Sequence, residues 1–275
     1  MRTWELSDTN VVTIKIKADS RSWHQDFLLR SDAHHDNAKC DHRLERQHLD
    51  EAVDRDALVM DFGDLFCVMQ GRGDDRRSLS HLRTEDSGDN YINRVVRSAE
   101  SFYKPYASHW VVMAHGNHET KFTKNYGADM TGLLSDLLNA GGSSVYSTGY
   151  TGWVRIMVER RSERRSFAMW YGHGWTKGVR QRMPMILDGA DLIYTGHEHA
   201  PSMDEAMRVG LSPSGKVVKR RVIQLSGATY KDEYGNGEGG WATEKGHHPR
   251  PLGAWWLRLS FDGNNGLRAE VNRAT

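Results

Sequence analysis

The chain has 275 residues, of which 38% are hydrophobic and 27% are charged, with 37 Lys and Arg set against 36 Asp and Glu. This apolar fraction is sufficient for a sizeable core and excludes a mainly disordered chain. The near-neutral charge gives no sign of general binding to nucleic acid or to a membrane surface.

No stretch approaches 18 consecutive apolar residues, so a transmembrane helix is not expected. The polar start, MRTWELSDTN, lacks the apolar segment of a signal peptide. Two cysteines, Cys40 and Cys67, are too few for a disulfide framework and suit a reducing compartment. The sequence therefore predicts a cytoplasmic protein that does not associate with membranes.

Strand and helix patterns alternate in the first half of the chain. Strands are predicted over 11–18, 27–29, 57–60 and 110–114 by short β-branched or apolar runs. Helices are predicted over 38–56, 89–103 and 128–140, where apolar residues recur at helical spacing. This order indicates a β-α-β-α-β arrangement with short crossovers.

The second half of the chain is mostly strands. They are predicted over 152–159, 166–172 and 191–195, then as a hairpin over 206–225 and a final pair at 254–261 and 266–271. We therefore expect one α/β domain over 1–275, with two packed sheets and helices outside. Residues 26–200 form the motif-bearing core, and strands within 201–275 complete the second sheet. The Gly-rich stretch 226–253 is the candidate for a long functional loop.

Polar residues follow several of these apolar runs, at the carboxyl ends of predicted strands. They are Asp32-Ala33-His34, Gly63-Asp64, Gly116-Asn117-His118, Gly172-His173 and Gly196-His197-Glu198-His199. Open α/β sheets place their ligand sites at these ends, so distant segments can meet there. Carboxylates mixed with imidazoles suit Mn, Fe or Zn better than Ca or Mg, and a shared carboxylate can hold two ions about 3.5–4 Å apart.

Each of these motifs has an ordinary structural explanation when it stands alone. Asp-x-His and Gly-Asp are common in turns, and Gly-Asn-His-Glu could be a helix N-cap followed by an acidic first turn. Gly-His-x-His at a strand end is more specific, because the two-residue period of a strand places both imidazoles on one face. All of the motifs together, in order and each after a strand, favour a metal site.

The ordered signature D-x-H, G-D, G-N-H-[DE], G-H and G-H-x-H resembles the calcineurin-like metallophosphoesterase superfamily over about residues 26–200. The resemblance implies a four-layer α-β-β-α sandwich of two mixed sheets flanked by helices, with a two-metal site. The run Asp36–Asp41 is similar to phage- and prophage-borne members. Gly63-Asp64-Leu65-Phe66 is similar to the DNA-repair exonuclease branch.

Carried over to this chain, the resemblance implies two divalent ions, with Mn²⁺ favoured and Fe, Zn, Ni or Co as alternatives. One ion would be held by Asp32, His34, Asp64 and His199, and the second by Asp64, Asn117, His173 and His197, with Asp64 bridging. A hydroxide between the ions would attack phosphorus in line, and His118 would protonate the departing alkoxide.

Cys67 departs from the family pattern. Many members carry an Asp or His at this place, three residues after the bridging Asp, to orient the catalytic imidazole. A neutral thiol is a weak hydrogen-bond partner, so we expect Cys67 to be a buried spacer. His118 would then be oriented by another group, such as a backbone carbonyl.

The leading hypothesis is a phosphodiesterase, or nuclease, that acts on a nucleotide or nucleic-acid ester. The alternatives are a phosphomonoesterase for phosphoprotein or small metabolites and, as a different class, a non-catalytic scaffold. A scaffold typically lacks metal ligands or the catalytic His, whereas all of those positions are filled here. Arg72, Arg76 and Arg77 are candidates for binding substrate phosphate, since arginine forks suit phosphate oxygens.

Overall fold

The computed structural model describes residues 1–68, 81–174, 182–234, 241–244, 246–262 and 266–275. Its strands are β1 (Arg2–Asp8), β2 (Val11–Lys17), β3 (His24–Arg30), β4 (Leu58–Asp61), β5 (Trp110–Ala114), β6 (Tyr146–Thr148), β7 (Thr151–Arg160), β8 (Glu163–Gly172), β9 (Leu192–Thr195), β10 (Ser202–Leu211), β11 (Val217–Ser226), β12 (Ala254–Asp262) and β13 (Gly266–Ala274). Its helices are α1 (His42–Asp54), α2 (Tyr91–Tyr103), α3 (Asn117–Tyr126), α4 (Met130–Asn139) and the one-turn α5 (Met183–Ile186) and α6 (Trp241–Glu244), with a 3₁₀ helix at Lys104–His109.

Within the described residues, the strands form two mixed sheets. The first has seven strands in the order β1-β2-β7-β8-β9-β11-β10, and the second has six in the order β13-β12-β3-β4-β5-β6. Strands β3, β4, β5 and β6 are mutually parallel, and so are β8, β9 and β11. The expected α/β architecture of two mixed sheets flanked by helices is confirmed.

The sheets pack face to face, and the helices cover the six-stranded sheet on its other side. Leu29 of β3 meets Ile156 of β7 in the apolar layer between the sheets. Its neighbour Leu28 points to the opposite face, where it packs in one cluster with Leu49 of α1 and Val95 of α2. Because both faces of this sheet are covered, the middle of a central strand is apolar on both faces, as at Phe27, Leu28 and Leu29 of β3, and this produces the short apolar runs in the sequence.

The short helix α5 lies on the far side of the seven-stranded sheet and covers only part of it. Met183 packs there against Trp170 of β8 and Ile193 of β9. The four layers are therefore unequal, with the thicker helical layer on the side of α1, α2 and α4.

Across the described segments, none of the helices has both the length and the apolar character needed to span a bilayer.

The sequence patterns did not predict β1, α3 and β6, nor the short helices α5 and α6 and the 3₁₀ helix. Strand β1 is mostly exposed at the edge of its sheet, so its sequence RTWELSD is largely polar. Helix α3 buries only Glu119 and Phe122, which is too few for an apolar stripe. Strand β6 has three residues, too few to show a period.

The expectation that all strands after residue 200 complete the second sheet is wrong for β12 and β13. Strands β10 and β11 do join the sheet that contains β8 and β9, but β12 pairs antiparallel with β3 in the other sheet. Strand β12 is buried on both faces, with Leu257 between the sheets and Trp256 under the helices. Arg258 also donates two hydrogen bonds of 2.7 Å to Asp26 of β3. Because β12 has apolar side chains on both of its faces, only a position inside the helix-covered sheet buries both faces.

Candidate metal centre

The carboxyl ends of β3, β4, β5, β8 and β9 meet at one edge of the sandwich and bring the predicted motifs together. The loops after β3 and β4 run side by side, because the N–H of Asp32 donates to Gly63 O at 2.8 Å and that of His34 to Asp64 O at 3.0 Å. The loop after β9 joins them, since the N–H of His197 donates to both carboxylate oxygens of Asp32 at 3.0 Å. Backbone hydrogen bonds therefore fix the spacing of the motif loops.

Asp32, His34 and His199 form one group of potential metal ligands. One ligand atom from each of these side chains lies within 4.8 Å of the others. The Nε2 atom of His199 is 3.2 Å from Nε2 of His34 and 3.3 Å from Oδ1 of Asp32. This is the spacing of donor atoms that face a shared centre, and two of the three side chains are fully buried.

Asp64, His173 and His197 form a second group, also with ligand atoms within 4.8 Å of one another. Nε2 of His173 is 3.1 Å from Oδ2 of Asp64 and 3.6 Å from Oδ1 of Asp32, so the two groups share a boundary. The Nδ1–H of His173 donates to Phe62 O at 3.0 Å, which leaves Nε2 to face the carboxylates. Asn117 is the first residue of α3, and the next residue donates its backbone N–H to Asp64 Oδ1 at 2.9 Å, which joins the start of this helix to the group.

The buried carboxylates of Asp32 and Asp64 favour positive charge at this edge of the sandwich. Burial lowers the pKa of His173, but the charges of Asp64 and Asp32 outweigh burial and raise it to about 10. Burial raises the pKa of Asp64, but His173 and His118 hold it well below its usual range. Two buried carboxylates that remain ionised beside imidazoles are a donor set that a divalent cation fits.

His34 offers an imidazole that stays neutral and therefore able to bind metal. Burial, followed by the nearby His118 and His199, lowers the pKa of His34 well below its usual range. Within the described part of the chain, its Nδ1 is buried without a hydrogen-bond partner. The Nε2 atom of this neutral imidazole, which faces His199, keeps the lone pair that a cation would need.

Backbone strain is concentrated in these residues. Asp32, His34, Asp64, His197 and His199 have φ values of 55°, 49°, 53°, 85° and 49°. This left-handed region is uncommon for residues other than glycine, although Asp and His enter it more readily than most. Such strain costs of order 1–3 kcal/mol at each residue and clusters at functional sites. It therefore supports a functional reason for these loop conformations.

Gly63 and Gly116 allow the loops after β4 and β5 to approach each other. Gly63 has a φ of 102°, and a Cβ placed there would lie 2.8 Å from Cα of Gly116 and from Nδ1 of His173. A Cβ on Gly116 would lie only 2.1 Å from Oδ1 of Asp64. The glycines of the G-D and G-N-H motifs are thus needed to place Asp64.

We expect Gly116→Ala to displace Asp64, to reduce the bound metal and to lower the free energy of unfolding by about 1–3 kcal/mol, the usual cost of overpacking. Elemental analysis and denaturant unfolding measure both effects. Gly210→Ala is the matched control, because a Cβ at Gly210 has no atom within 4 Å. Unchanged metal content and stability in Gly116→Ala would contradict this account.

Glu119 and Asp36 support the centre and were not singled out from the sequence. The Glu119 carboxylate accepts N–H groups of Asp64 at 3.1 Å, Phe66 at 2.8 Å and Gly116 at 2.8 Å. Burial, together with the charge of Asp64, raises the pKa of Glu119 to about 8. Asp36 accepts the N–H of Cys67 at 2.5 Å and the hydroxyl of Tyr91 at 2.8 Å. The signal available for Glu119 was its position three residues after the helix N-cap.

His118 is held by the backbone of Cys67 and not by its thiol. The Nδ1 of His118 lies 2.7 Å from Cys67 O, which makes it the donor of that hydrogen bond. Its Nε2 faces the centre, 3.9 Å from Oδ2 of Asp64. The Cys67 thiol is 2% exposed and accepts a hydrogen bond from Asn37 Nδ2 at 3.2 Å. Burial, followed by the charge of Asp36, raises the pKa of this thiol to about 12.

The thiol is close enough to His34 and His118 to form a third group of potential ligand atoms within 4.8 Å. Because it is neutral at physiological pH, we expect Cys67→Ala to retain both metal ions and to change kcat by less than about threefold, or ~1 kcal/mol of barrier. The carbonyl that holds His118 survives this change. Elemental analysis and steady-state kinetics test the prediction. A hundredfold loss with the metal retained would mean that the thiol takes part in catalysis.

A buried charged cluster lies behind the loop after β3. Arg30 donates to Asp61 at 2.8 Å and to Glu45 at 2.5 Å, and Glu45 also contacts Nδ1 of His35 at 3.2 Å. Glu45 and His35 could form a ligand group with His42. The Arg30 cation already compensates Glu45 there, so we interpret this cluster as an ion-pair network that anchors the β3 loop.

The predicted phosphate-binding residues Arg72, Arg76 and Arg77 lie outside the described residues. Of the predicted ligand side chains, Asp32, His34, Asp64, His173, His197 and His199 come together in the two groups above. His118 lies at their border, with its ring centre 5.0 Å from that of His34.

No protein-family model matches the chain, and no curated protein matches it. A solved structure of a predicted phosphoesterase from Streptococcus pneumoniae aligns over 91% of this chain and 99% of its own, with 12% identity and a TM-score of 0.33. A metallophosphoesterase from Sphaerobacter thermophilus aligns over 90% and 88%, with 15% identity and a TM-score of 0.32. The anchor protein of the inner membrane complex of Plasmodium aligns over 91% and 85%, with 11% identity and a TM-score of 0.42. These are distant likenesses.

Proposed function

We propose that the chain is a metal-dependent phosphoesterase of the calcineurin-like metallophosphoesterase superfamily. The observation that supports the proposal most is the meeting of two ligand groups, Asp32-His34-His199 and Asp64-His173-His197, at one edge of the sandwich. The left-handed φ values of five of these six residues add to it, because such strain clusters where a site is selected for function.

In this proposal one ion is held by Asp32, His34, Asp64 and His199, and the other by Asp64, Asn117, His173 and His197. Mn²⁺ suits this mixture of carboxylate, amide and imidazole donors, and Fe, Zn, Ni or Co would also fit. When bound, two such ions polarise a phosphoryl oxygen and activate water at neutral pH. Asp64 and His173 are positioned for this by Glu119 and by the Phe62 carbonyl, respectively.

His118 would act as the general acid. Its Nδ1–H is committed to the Cys67 carbonyl, so the ring presents Nε2 to the centre and can carry a proton there. The departing alkoxide of a phosphate ester would take that proton. The expected orientation of His118 by a backbone carbonyl is the arrangement found here, and it needs no carboxylate partner.

We further propose a nucleotide or nucleic-acid phosphodiester as the substrate class, on the resemblance of the motifs to phage-type and DNA-repair members. A panel of bis-p-nitrophenyl phosphate, p-nitrophenyl phosphate, and single- and double-stranded DNA, assayed with Mn²⁺ and with EDTA, tests it. Turnover of diesters that EDTA abolishes is the expected result. Turnover of p-nitrophenyl phosphate alone would assign a monoesterase. No Mn²⁺-dependent turnover of any ester would overturn the proposal in favour of a scaffold.

A further inference from the structure

A cavity of ≈ 380 Å³ opens directly beside the candidate metal centre. It begins at His197 and His199 and is bounded by the segment after β11 and by the segment that leads to β12. Its walls include Thr229, Lys231, Glu233, Tyr234, His248 and Arg250. A ligand held at the metal centre would therefore have this space next to it.

The segment after β11 is attached to the same Asp32 that faces the centre. The hydroxyl of Thr229 donates to Asp32 O at 2.7 Å, and the N–H of Tyr230 donates to the same oxygen at 3.2 Å. The N–H of Lys231 then donates to Oγ1 of Thr229 at 2.9 Å. These contacts fix the backbone of Lys231 relative to the centre.

Lys231 brings a buried positive charge to the cavity wall. It is 8% exposed and forms an ion pair with Glu233, which is 6% exposed. Lys231 lines the same cavity as His197 and His199, which are members of the two ligand groups, so its side chain borders the space next to the centre. An ammonium has three N–H donors, and a contact with one carboxylate oxygen uses only one of them.

The same cavity wall contains buried polar atoms whose hydrogen bonds are incomplete. Among the described residues, Oε2 of Glu233 and the hydroxyl of Tyr234 are buried and have no partner. Leaving such groups unpaired costs about 1–3 kcal/mol each, so their position in a cavity beside the centre points to a polar ligand.

We propose that Lys231 binds a non-bridging oxygen of the substrate phosphate, with Glu233 holding its ammonium in place. The inference rests on the proposed phosphoesterase function and adds a phosphate-binding residue within the described part of the chain. A lysine suits this role because its ammonium acts as a compact point charge toward phosphate. The pairing with Glu233 keeps the charge directed at the cavity when no substrate is present.

The test is titration of inorganic phosphate into the Mn²⁺-loaded protein, followed by calorimetry. Lys231→Met is expected to weaken phosphate binding about 10- to 100-fold, the worth of one charge-assisted hydrogen bond. Lys231→Arg is expected to restore it to within about fivefold. Lys15→Met is the matched control, because Lys15 of β2 forms a solvent-exposed ion pair with Glu5 of β1. Because removing one charge of a buried pair can unfold a protein, the double variant Lys231→Met with Glu233→Gln is measured in parallel.

Elemental analysis must show wild-type metal content in each folded variant. Phosphate affinity within twofold of wild type in both the single and the double variant would overturn the inference, and so would the absence of phosphate binding by the wild type. Loss of metal together with phosphate affinity would also overturn it, since Lys231 would then act through the metal ligands. Ester turnover is a separate readout, so a protein that binds phosphate through Lys231 but hydrolyses no ester would contradict only the proposed function.

Discussion

Asp64→Asn is expected to lose both metal ions and at least about 10³-fold in kcat/KM. Oδ2 of Asp64 lies 3.1 Å from Nε2 of His173, and Oδ1 accepts the backbone N–H of His118, so this carboxylate contacts both the ligand group and the helix that carries the proposed acid. Asparagine preserves the size and one acceptor oxygen but removes the charge. Loss of the Lewis-acid stabilisation supplied by bound metal raises the activation free energy by several kcal/mol, and each ~1.4 kcal/mol of activation free energy lowers the rate tenfold.

Asp32→Asn is the matched comparison, because Asp32 is the other buried carboxylate of the centre. If Asp64 bridges the ions, Asp32→Asn should retain one ion while Asp64→Asn retains none. Elemental analysis after Mn²⁺ loading and removal of excess metal measures the difference, and EDTA-treated wild type sets the background. Two ions bound to Asp64→Asn, or equal losses in the two variants, would exclude a bridging role that is special to Asp64.

The members of the candidate centre could be predicted because each motif stands at the end of an apolar run. A strand end fixes where its next few residues lie, so parallel strands deliver Asp32, Asp64 and Asn117 to one edge without any knowledge of long-range contacts. The two-residue period of an extended chain likewise indicated that His197 and His199 would act together. Both do lie at the centre, although their own backbone is left-handed instead of extended.

The supporting residues could not be predicted in this way, because their contacts join segments that are distant in sequence. Glu119 accepts N–H groups from Asp64 and Phe66, more than fifty residues earlier. Lys231 lines the cavity beside the centre, where its segment is attached to Asp32 through Thr229. The local residue pattern does not show which backbone N–H and C=O groups a loop leaves without a hydrogen bond. Those unpaired groups determine where a supporting side chain such as Glu119 is needed.

The placement of the last hairpin has a similar explanation. The turn residues between 254–261 and 266–271 were sufficient to predict a pair of strands, but not the sheet that they join. That choice depends on which edge can cover both faces of β12, and on Asp26 of β3, which receives Arg258. Strand pairing across more than two hundred residues is settled by packing and by such ion pairs, which local periodicity does not contain.

His118→Asn is expected to retain both metal ions and to lose about 10²–10⁴-fold in kcat, the usual worth of general acid–base catalysis. The side chain of His118 is joined to the loop after β4 through Cys67 O, and its backbone N–H, which holds Asp64, is unaffected by the substitution. His115→Asn is the matched control, because His115 precedes the same helix but contacts Asp129 at 2.9 Å, away from the ligand groups. Loss of metal from His118→Asn would indicate a ligand instead of an acid.

The size of the His118→Asn effect should depend on the leaving group. A p-nitrophenolate leaves without a proton, so its release gains little from an acid, whereas an alkoxide must be protonated as the bond to phosphorus breaks. We therefore expect a smaller loss for bis-p-nitrophenyl phosphate than for an alkyl phosphodiester, with both measured as kcat on the same metal-loaded preparation. Equal losses for the two esters would remove the acid assignment, because a residue that only shapes the centre would slow both reactions alike.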